Sequence, residues 1–250
     1  MNVWARVVTS PVVMVWATTT AIGLKVANLW AQRGATYYNA LYVSPIVYIG
    51  IFNERLQFFG SSLRYMDFLV DDTLRARLGV EFRDDNPTII FREPIGFRNS
   101  RETALESSLT LEWFIPNRTR YFAEFDLVAG KGFQGHIGWF GEATLRLTVT
   151  RLHTEGEGTL IQPQLFATVG YGDAGYNLYQ YGAGAGQAGF NYLSFGLYII
   201  SPSRIDSSFP VVELAYHQTL GPRKNGSLVV DRPTGFFVLW RFAASLFQVD

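Results

Sequence analysis

The sequence predicts an all-β protein: a transmembrane antiparallel β-barrel of about twelve strands, with ten as the alternative. Three observations carry the prediction. The first is alternation, which runs from Leu74 to Val149 with apolar residues on one parity and polar or charged residues on the other. In Leu74–Arg83 the two sets are Leu74, Ala76, Leu78, Val80, Phe82 and Arg75, Arg77, Gly79, Glu81, Arg83. In Glu102–Trp113, Leu105, Leu109, Leu111 and Trp113 alternate with Glu102, Glu106, Ser108, Thr110 and Glu112. Successive side chains of a strand point to opposite faces, so each segment builds one greasy face and one charged face. The second observation is length: the segments run to about ten residues, where strands of soluble sheets average about five or six. The third is the aromatic content of 16%, with 20 Phe, 13 Tyr and 6 Trp, which suits girdles at two membrane interfaces. A soluble sandwich hides its apolar face. Here lipid would wet that face and the charges would point into a lumen, an arrangement found in the bacterial outer membrane.

The elements follow in order. Residues 1–20 carry two open readings. As a signal segment they offer an n-region Met1–Arg6, an apolar stretch around Val7–Ala17 and cleavage after Ala21, against which stand Pro11 and the single positive charge of Arg6. Otherwise they are an ordinary first strand. Ile22–Ala31 is the next strand candidate, and Arg33 and Gly34 mark a polar link. Leu41–Phe52 leads through a tight turn at Asn53-Glu54 into Arg55–Tyr65. Leu74–Arg83 precedes Asp84–Arg101, whose length, Pro87, Pro94 and clustered charges predict an extracellular loop. Glu102–Phe114 and Arg118–Ala129 are expected to join at Pro116-Asn117. Gly135–Arg151 and Thr159–Tyr171 flank His153–Gly158, and a Gly-rich link, Gly172–Gly189, leads to Phe190–Ile200. Phe209–Thr219 and Thr234–Leu246 come last. These make eleven candidates, while bacterial single-chain barrels use an even number. Either residues 2–20 supply a twelfth or one candidate is a loop. No composition shift marks a second domain, so residues 21–250 read as one barrel.

Composition bounds the function. The charged fraction is 17%, below the roughly 25% of soluble domains. A net charge of zero gives no electrostatic case for nucleic-acid binding. Without Cys there is no disulfide, thiolate zinc site or cysteine nucleophile. No run of about eighteen uninterrupted apolar residues predicts a spanning helix; the nearest, Val7–Leu24, is broken by Ser10, Pro11 and Thr18–Thr20.

The polar parity places Arg55, Arg75, Arg77, Arg83, Arg118, Arg120 and Arg146 against Glu81, Glu106, Glu112, Glu124, Asp126, Glu142 and Glu213. In a narrow interior unpaired charge is costly, so Arg–carboxylate pairs bracing the wall are the favoured reading. A pore lined by the same residues is the alternative, and the balance of signs argues against strong ion selectivity. An envelope lipid hydrolase would need a Ser–His arrangement with an orienting group. Of three histidines, His217 lies in Tyr216-His-Gln-Thr219, where Thr stands in place of Ser, and His136 and His153 have no partner at a diagnostic spacing. Structural or surface roles are expected for all three, and no catalytic residue is assigned. Asp71-Asp72 and Asp84-Asp85 lack the pattern of a calcium loop, and Gly182-Ala-Gly-Ala-Gly186 lacks the βαβ context of a phosphate loop. No metal or cofactor is expected. Trp4, Trp16, Trp30, Trp113, Trp139 and Trp240 read as interface anchors.

Several segments together resemble the MipA/OmpV family of outer-membrane proteins, named for interaction with a lytic transglycosylase. They are Tyr42-Val-Ser-Pro-Ile-Val-Tyr48 with Asn53-Glu-Arg-Leu-Gln-Phe-Phe-Gly60, then Tyr171-Gly-Asp173 with Tyr176-Asn-Leu-Tyr179-Gln-Tyr181-Gly182, then Ser227-Leu-Val-Val-Asp231-Arg-Pro-Thr-Gly235. The likeness covers roughly residues 21–242. Two departures stand out: Gln32-Arg-Gly-Ala-Thr-Tyr-Tyr38 replaces the loop expected after the first strand, and the chain continues past Phe242 to Asp250. The resemblance implies a barrel without catalytic residues, and the chain is read as a monomer among outer-membrane lipids. The resemblance also implies, as in some members of that family, a scaffold for periplasmic murein hydrolases and synthases.

Overall fold

The computed structural model describes residues 17–27, 30–32, 35–38, 42–52, 55–71, 73–83, 89–90, 103–117, 120–150, 152–153, 160–182, 186–200, 210–221 and 234–248. In chain order the strands are β1 (Ala17–Ala27), β2 (Trp30–Gln32), β3 (Ala35–Tyr38), β4 (Tyr42–Ile51), β5 (Leu56–Phe59) and β6 (Ser62–Val70). Next come β7 (Leu74–Arg83), β8 (Ile89–Ile90), β9 (Ala104–Asn117), β10 (Arg120–Gln134), β11 (Trp139–Thr148) and β12 (Leu152–His153). The chain then runs through β13 (Leu160–Gly172), the helix α1 (Ala174–Tyr181), β14 (Gly189–Ile200), β15 (Pro210–Thr219) and β16 (Thr234–Gln248).

Twelve of these strands form one closed antiparallel barrel, in the order β1, β16, β15, β14, β13, β11, β10, β9, β7, β6, β5, β4. Closure is made by β1, which pairs with β16 along one edge (Leu24 with Phe242) and β4 along the other (Leu24 with Pro45). Every strand of that ring has a neighbour on both sides, the shortest seams being the four rungs of β5 with β4 and with β6, so the free edge of an unclosed sheet is removed. The short strands β8 and β12 add to β4 and β13, and β2 pairs only with β3. β1 begins and β16 ends at the same end of the barrel, the terminal end. The links after β1, β7, β13 and β15 lie at the other, the loop end.

The predicted barrel and its strand number are borne out, and the pleat sorts the side chains as the alternation requires. Leu78, Val80, Phe82, Leu109, Trp113, Leu127, Leu145 and Phe195 are exposed on the outer wall. Arg75, Arg83, Glu106, Glu112, Glu124 and Asp126 are buried on the inner one.

Of the boundaries that differ from the sequence reading, three bear on the strand count and the hairpins. The segment Arg55–Tyr65 is two strands, because the chain reverses at Gly60-Ser61. Gly60 takes φ +56°, its N–H donates to the Val47 carbonyl at 2.8 Å, and Ser62 Oγ donates to the Phe59 carbonyl at 2.8 Å. Splitting that candidate gives the twelfth strand. Of residues 1–20, residues 17–20 are the first rungs of β1, and residues 1–16 lie outside the described residues. Pro116-Asn117 is still paired strand, with Asn117 opposite Arg120, so that hairpin closes two residues later than expected. The expected turn at Asn53-Glu54 and most of the loop Asp84–Arg101 lie outside the described residues.

Candidate functional site

The inner wall holds most of the charged groups of the described strands because every second residue of β7, β9, β10 and β11 must face inward. Register then decides which of them meet. Arg75 stands opposite Glu112 on β9, Glu112 opposite Asp126 on β10, and Glu124 opposite Arg146 on β11. Arg75 and Arg77 both reach the Glu112 carboxylate, which is fully buried. Arg146 forks between Glu124 (2.6 Å) and Asp126 (2.5 Å). Carboxylate oxygens of Glu112, Glu124 and Asp126 lie within 4.8 Å of one another. Their spacing would suit a cation, but three guanidinium groups already neutralise the three carboxylates. The arrangement is an ion-pair lattice, and each charge in it is stabilised only while its partners stay.

A second cluster lies nearer the loop end. Glu106 accepts from Arg83 at 3.2 Å and sits 2.9 Å from His136 Nε2. The Gly138 N–H donates to His136 Nδ1 at 3.2 Å, so Nδ1 is the acceptor nitrogen and Nε2 carries the proton toward Glu106. Arg83 also donates to Gln180 of α1 at 2.6 Å.

That contact joins the lumen wall to a cap. The Gly-rich link Gly172–Gly189 contains α1. Asp173 starts the helix, its Oδ1 accepting from the Tyr176 N–H (2.8 Å) and its Oδ2 from the Trp139 N–H (2.8 Å). Gly182 ends it at φ +83°. Tyr176, Asn177, Gln180 and Tyr181 are all buried to 1% exposure or less. Tyr176 packs on Phe140 and His136 with ring centroids 5.1 and 5.4 Å apart, and Tyr179 lies 4.6 Å from His136. Asn177 bridges the Gly172 and Gln187 carbonyls at 2.8 and 2.7 Å and accepts from Asn191 at 3.1 Å. From β13, Gln180 reaches Arg83 on β7, four positions away in the ring of twelve. The helix therefore lies beside β11 and β13 at the loop-end mouth and reaches toward β7 through the Gln180–Arg83 bond.

Between the brace and the opposite wall lies a lumen cavity of about 290 Å³. Charged side chains (Arg77, Glu112, Asp126, Glu142, Arg146 and Glu213) and rings (Phe166, Tyr192, Tyr198 and Phe237) line it together. Phe166 and Tyr198 are stacked, with centroids 3.9 Å apart and planes 6° from parallel. His217 also faces this cavity, in register with Ser194 on β14.

Of the fourteen residues assigned to the lumen network, Arg75, Arg77, Arg83, Glu106, Glu112, Glu124, Asp126 and Arg146 are brought together in the two clusters. Glu142 and Glu213 line the cavity, and Glu81 stands in register with Glu106. Arg120 is in β10, its side chain outside the described residues, as is Arg118 entirely. Arg55 is a correction: it is exposed and pairs with Asp67 of the outer wall at 3.5 Å. It precedes the first rung of β5, so the turn aims its side chain rather than the pleat. Sequence reasoning missed His136, Asn177, Gln180 and Asn191. The signal for the helix was Asp173 as a capping residue before an aromatic run bounded by glycines; the cross-strand partners had none.

Fold and site define a closed twelve-strand barrel with a braced, helix-capped lumen. Compared with known proteins, the chain matches no family model, no curated protein and no solved structure.

Proposed function

We propose that this protein is an outer-membrane β-barrel with a closed lumen, serving as a structural platform rather than a transport pore. The observation that carries the reading is α1, seated at the loop-end mouth and tied through Gln180 to the Arg83–Glu106–His136 cluster. A passive pore needs a continuous aqueous path, and here a helix lies over the mouth while a lattice of buried ion pairs crowds one wall of the lumen. An apolar outer wall supports the membrane setting, since eleven of the twelve barrel strands have nine or more residues, the length a tilted strand needs to span. The resemblance to the MipA/OmpV family suggests the clients, periplasmic murein hydrolases and synthases, docking at the terminal end.

The experiment is a pull-down from solubilised membranes with a lytic transglycosylase as prey, paired with planar-bilayer recordings. The platform reading expects enrichment over an unrelated barrel and no discrete conductance steps. Absence of enrichment would sink the scaffold role.

A second reading, a channel for small solutes, is favoured by the polar lumen cavity, where Asp126 keeps its buried Oδ1 without a hydrogen-bond partner among the described residues. It expects conductance steps that grow in Arg75→Ala. A silent bilayer for both proteins counts against it.

A further inference from the structure

Among the described strand side chains, the outward parity carries two charges, Asp67 near the terminal end and Lys131 near the loop end. Asp67 is paired with Arg55. Lys131 instead lays its ammonium over the Trp139 ring, 5.1 Å from the centroid, which fixes a cation at the level of an exposed indole. Beside it the wall is indented. Ser107, paired with Lys131 and Val80, and Ala129, paired with Leu109, put small side chains where their neighbours put large ones. The result is a groove of about 580 Å³ bordered by Tyr65, Leu78, Phe133 and Trp139. Its lining comes from six neighbouring strands, β5 to β11 in ring order. At a strand spacing of about 4.8 Å that is a span of roughly 24 Å, long enough for an acyl chain lying along the wall.

We infer that this groove binds a phosphate-bearing lipid, its acyl chain between Tyr65, Leu78 and Trp139 and its phosphate on the Lys131 ammonium. The charge complementarity is specific: an apolar trough with one fixed cation, Lys131, beside the Ser107 hydroxyl matches an amphiphile with an anionic head. A neutral lipid would leave the cation unanswered. The groove lies toward the loop end, so the lipid belongs to the leaflet on that side. This inference rests on the membrane reading above.

The test uses the full chain in two arms. Partition into vesicles and a heat-modifiable gel band establish the membrane barrel. Native mass spectrometry from detergent then titrates a saturated-chain, glucosamine-based glycolipid in its phosphorylated and dephosphorylated forms. The wild-type barrel is expected to retain one phosphorylated lipid in preference to the dephosphorylated form. Lys131→Gln, which keeps the stem, should lower that preference about fivefold. Ala129→Leu, which fills the trough, should lose both forms while keeping the heat-modifiable band. A chain that stays in the aqueous phase overturns both readings. One that enters vesicles but takes the two glycolipids equally, or is indifferent to both substitutions, overturns this inference alone. A dimer abolished by Ala129→Leu would overturn it in favour of a second copy of the chain as occupant.

Discussion

Glu112 is the residue on which the lumen brace depends, because two guanidinium groups converge on one fully buried carboxylate. Buried pairs are weak evidence for net stability, yet removing one partner leaves the others charged and desolvated. Glu112→Gln is therefore expected to destabilise the folded barrel by about 3–5 kcal/mol, read as a shifted urea midpoint of the vesicle-folded protein. A loss below about 1 kcal/mol, the size of a surface pair, would mean that solvent already screens this site. Arg55→Ala is the control. Its side chain is 58% exposed and its partner Asp67 40%, so the change should stay within about 1 kcal/mol. At this scale the sequence was informative about charge and uninformative about partners. Arg75, Arg77 and Glu112 were visible as inward residues, but Arg55 shares their parity and points elsewhere.

The helix α1 is the element that most changes the meaning of the barrel. Eight residues are too few for a helix to persist alone in water. It exists because Asp173 caps it, Gly182 ends it, and four of its side chains are buried against β7, β11 and β14. Asp173→Ala removes an acceptor from two N–H groups, at a cost of about 1 kcal/mol or more to the helix. Gly138→Ala would set a Cβ 2.0 Å from the Tyr176 nitrogen, where the backbone has no room to yield. Both variants are expected to be cut by protease within Gly172–Gly189 far faster than wild type, with the barrel itself intact. Equal cleavage of all three proteins would show that the cap is not held by these contacts. A capping Asp and bounding glycines were legible in the sequence. That the intervening residues would coil was not, because the stabilisation comes from Phe140, His136 and Arg83, all distant in the chain.

For the whole molecule, the outward face decides between water and lipid. Leu145 is exposed in the middle of β11, with Thr144 facing inward beside it. In a membrane, Leu145→Arg should cost about 2–4 kcal/mol of folding free energy in vesicles. On a soluble barrel the same surface change should stay within about 0.5 kcal/mol, so the urea midpoint of this one variant separates the two settings. Closure adds a second property at this scale: β1 must find β16 across more than two hundred residues of chain, so the barrel forms as one unit.

The sequence by itself determined the faces. A strand's side-chain period of two is local, so Leu74–Arg83 declares its greasy and charged sides without reference to any other segment. The number of strands was legible on the same ground; only the source of the twelfth was misplaced, since it comes from the reversal at Gly60, whose turn needs a positive φ and a hydrogen bond to Val47. What only the tertiary structure decided is which charges meet, and what sits over them. Pairing depends on register between strands that are far apart in the chain, and that register is set by closure of the whole ring. Hence Glu112 takes Arg75 and Arg77, Glu106 takes Arg83 and His136, and a helix that could not stand alone becomes the cap of the lumen.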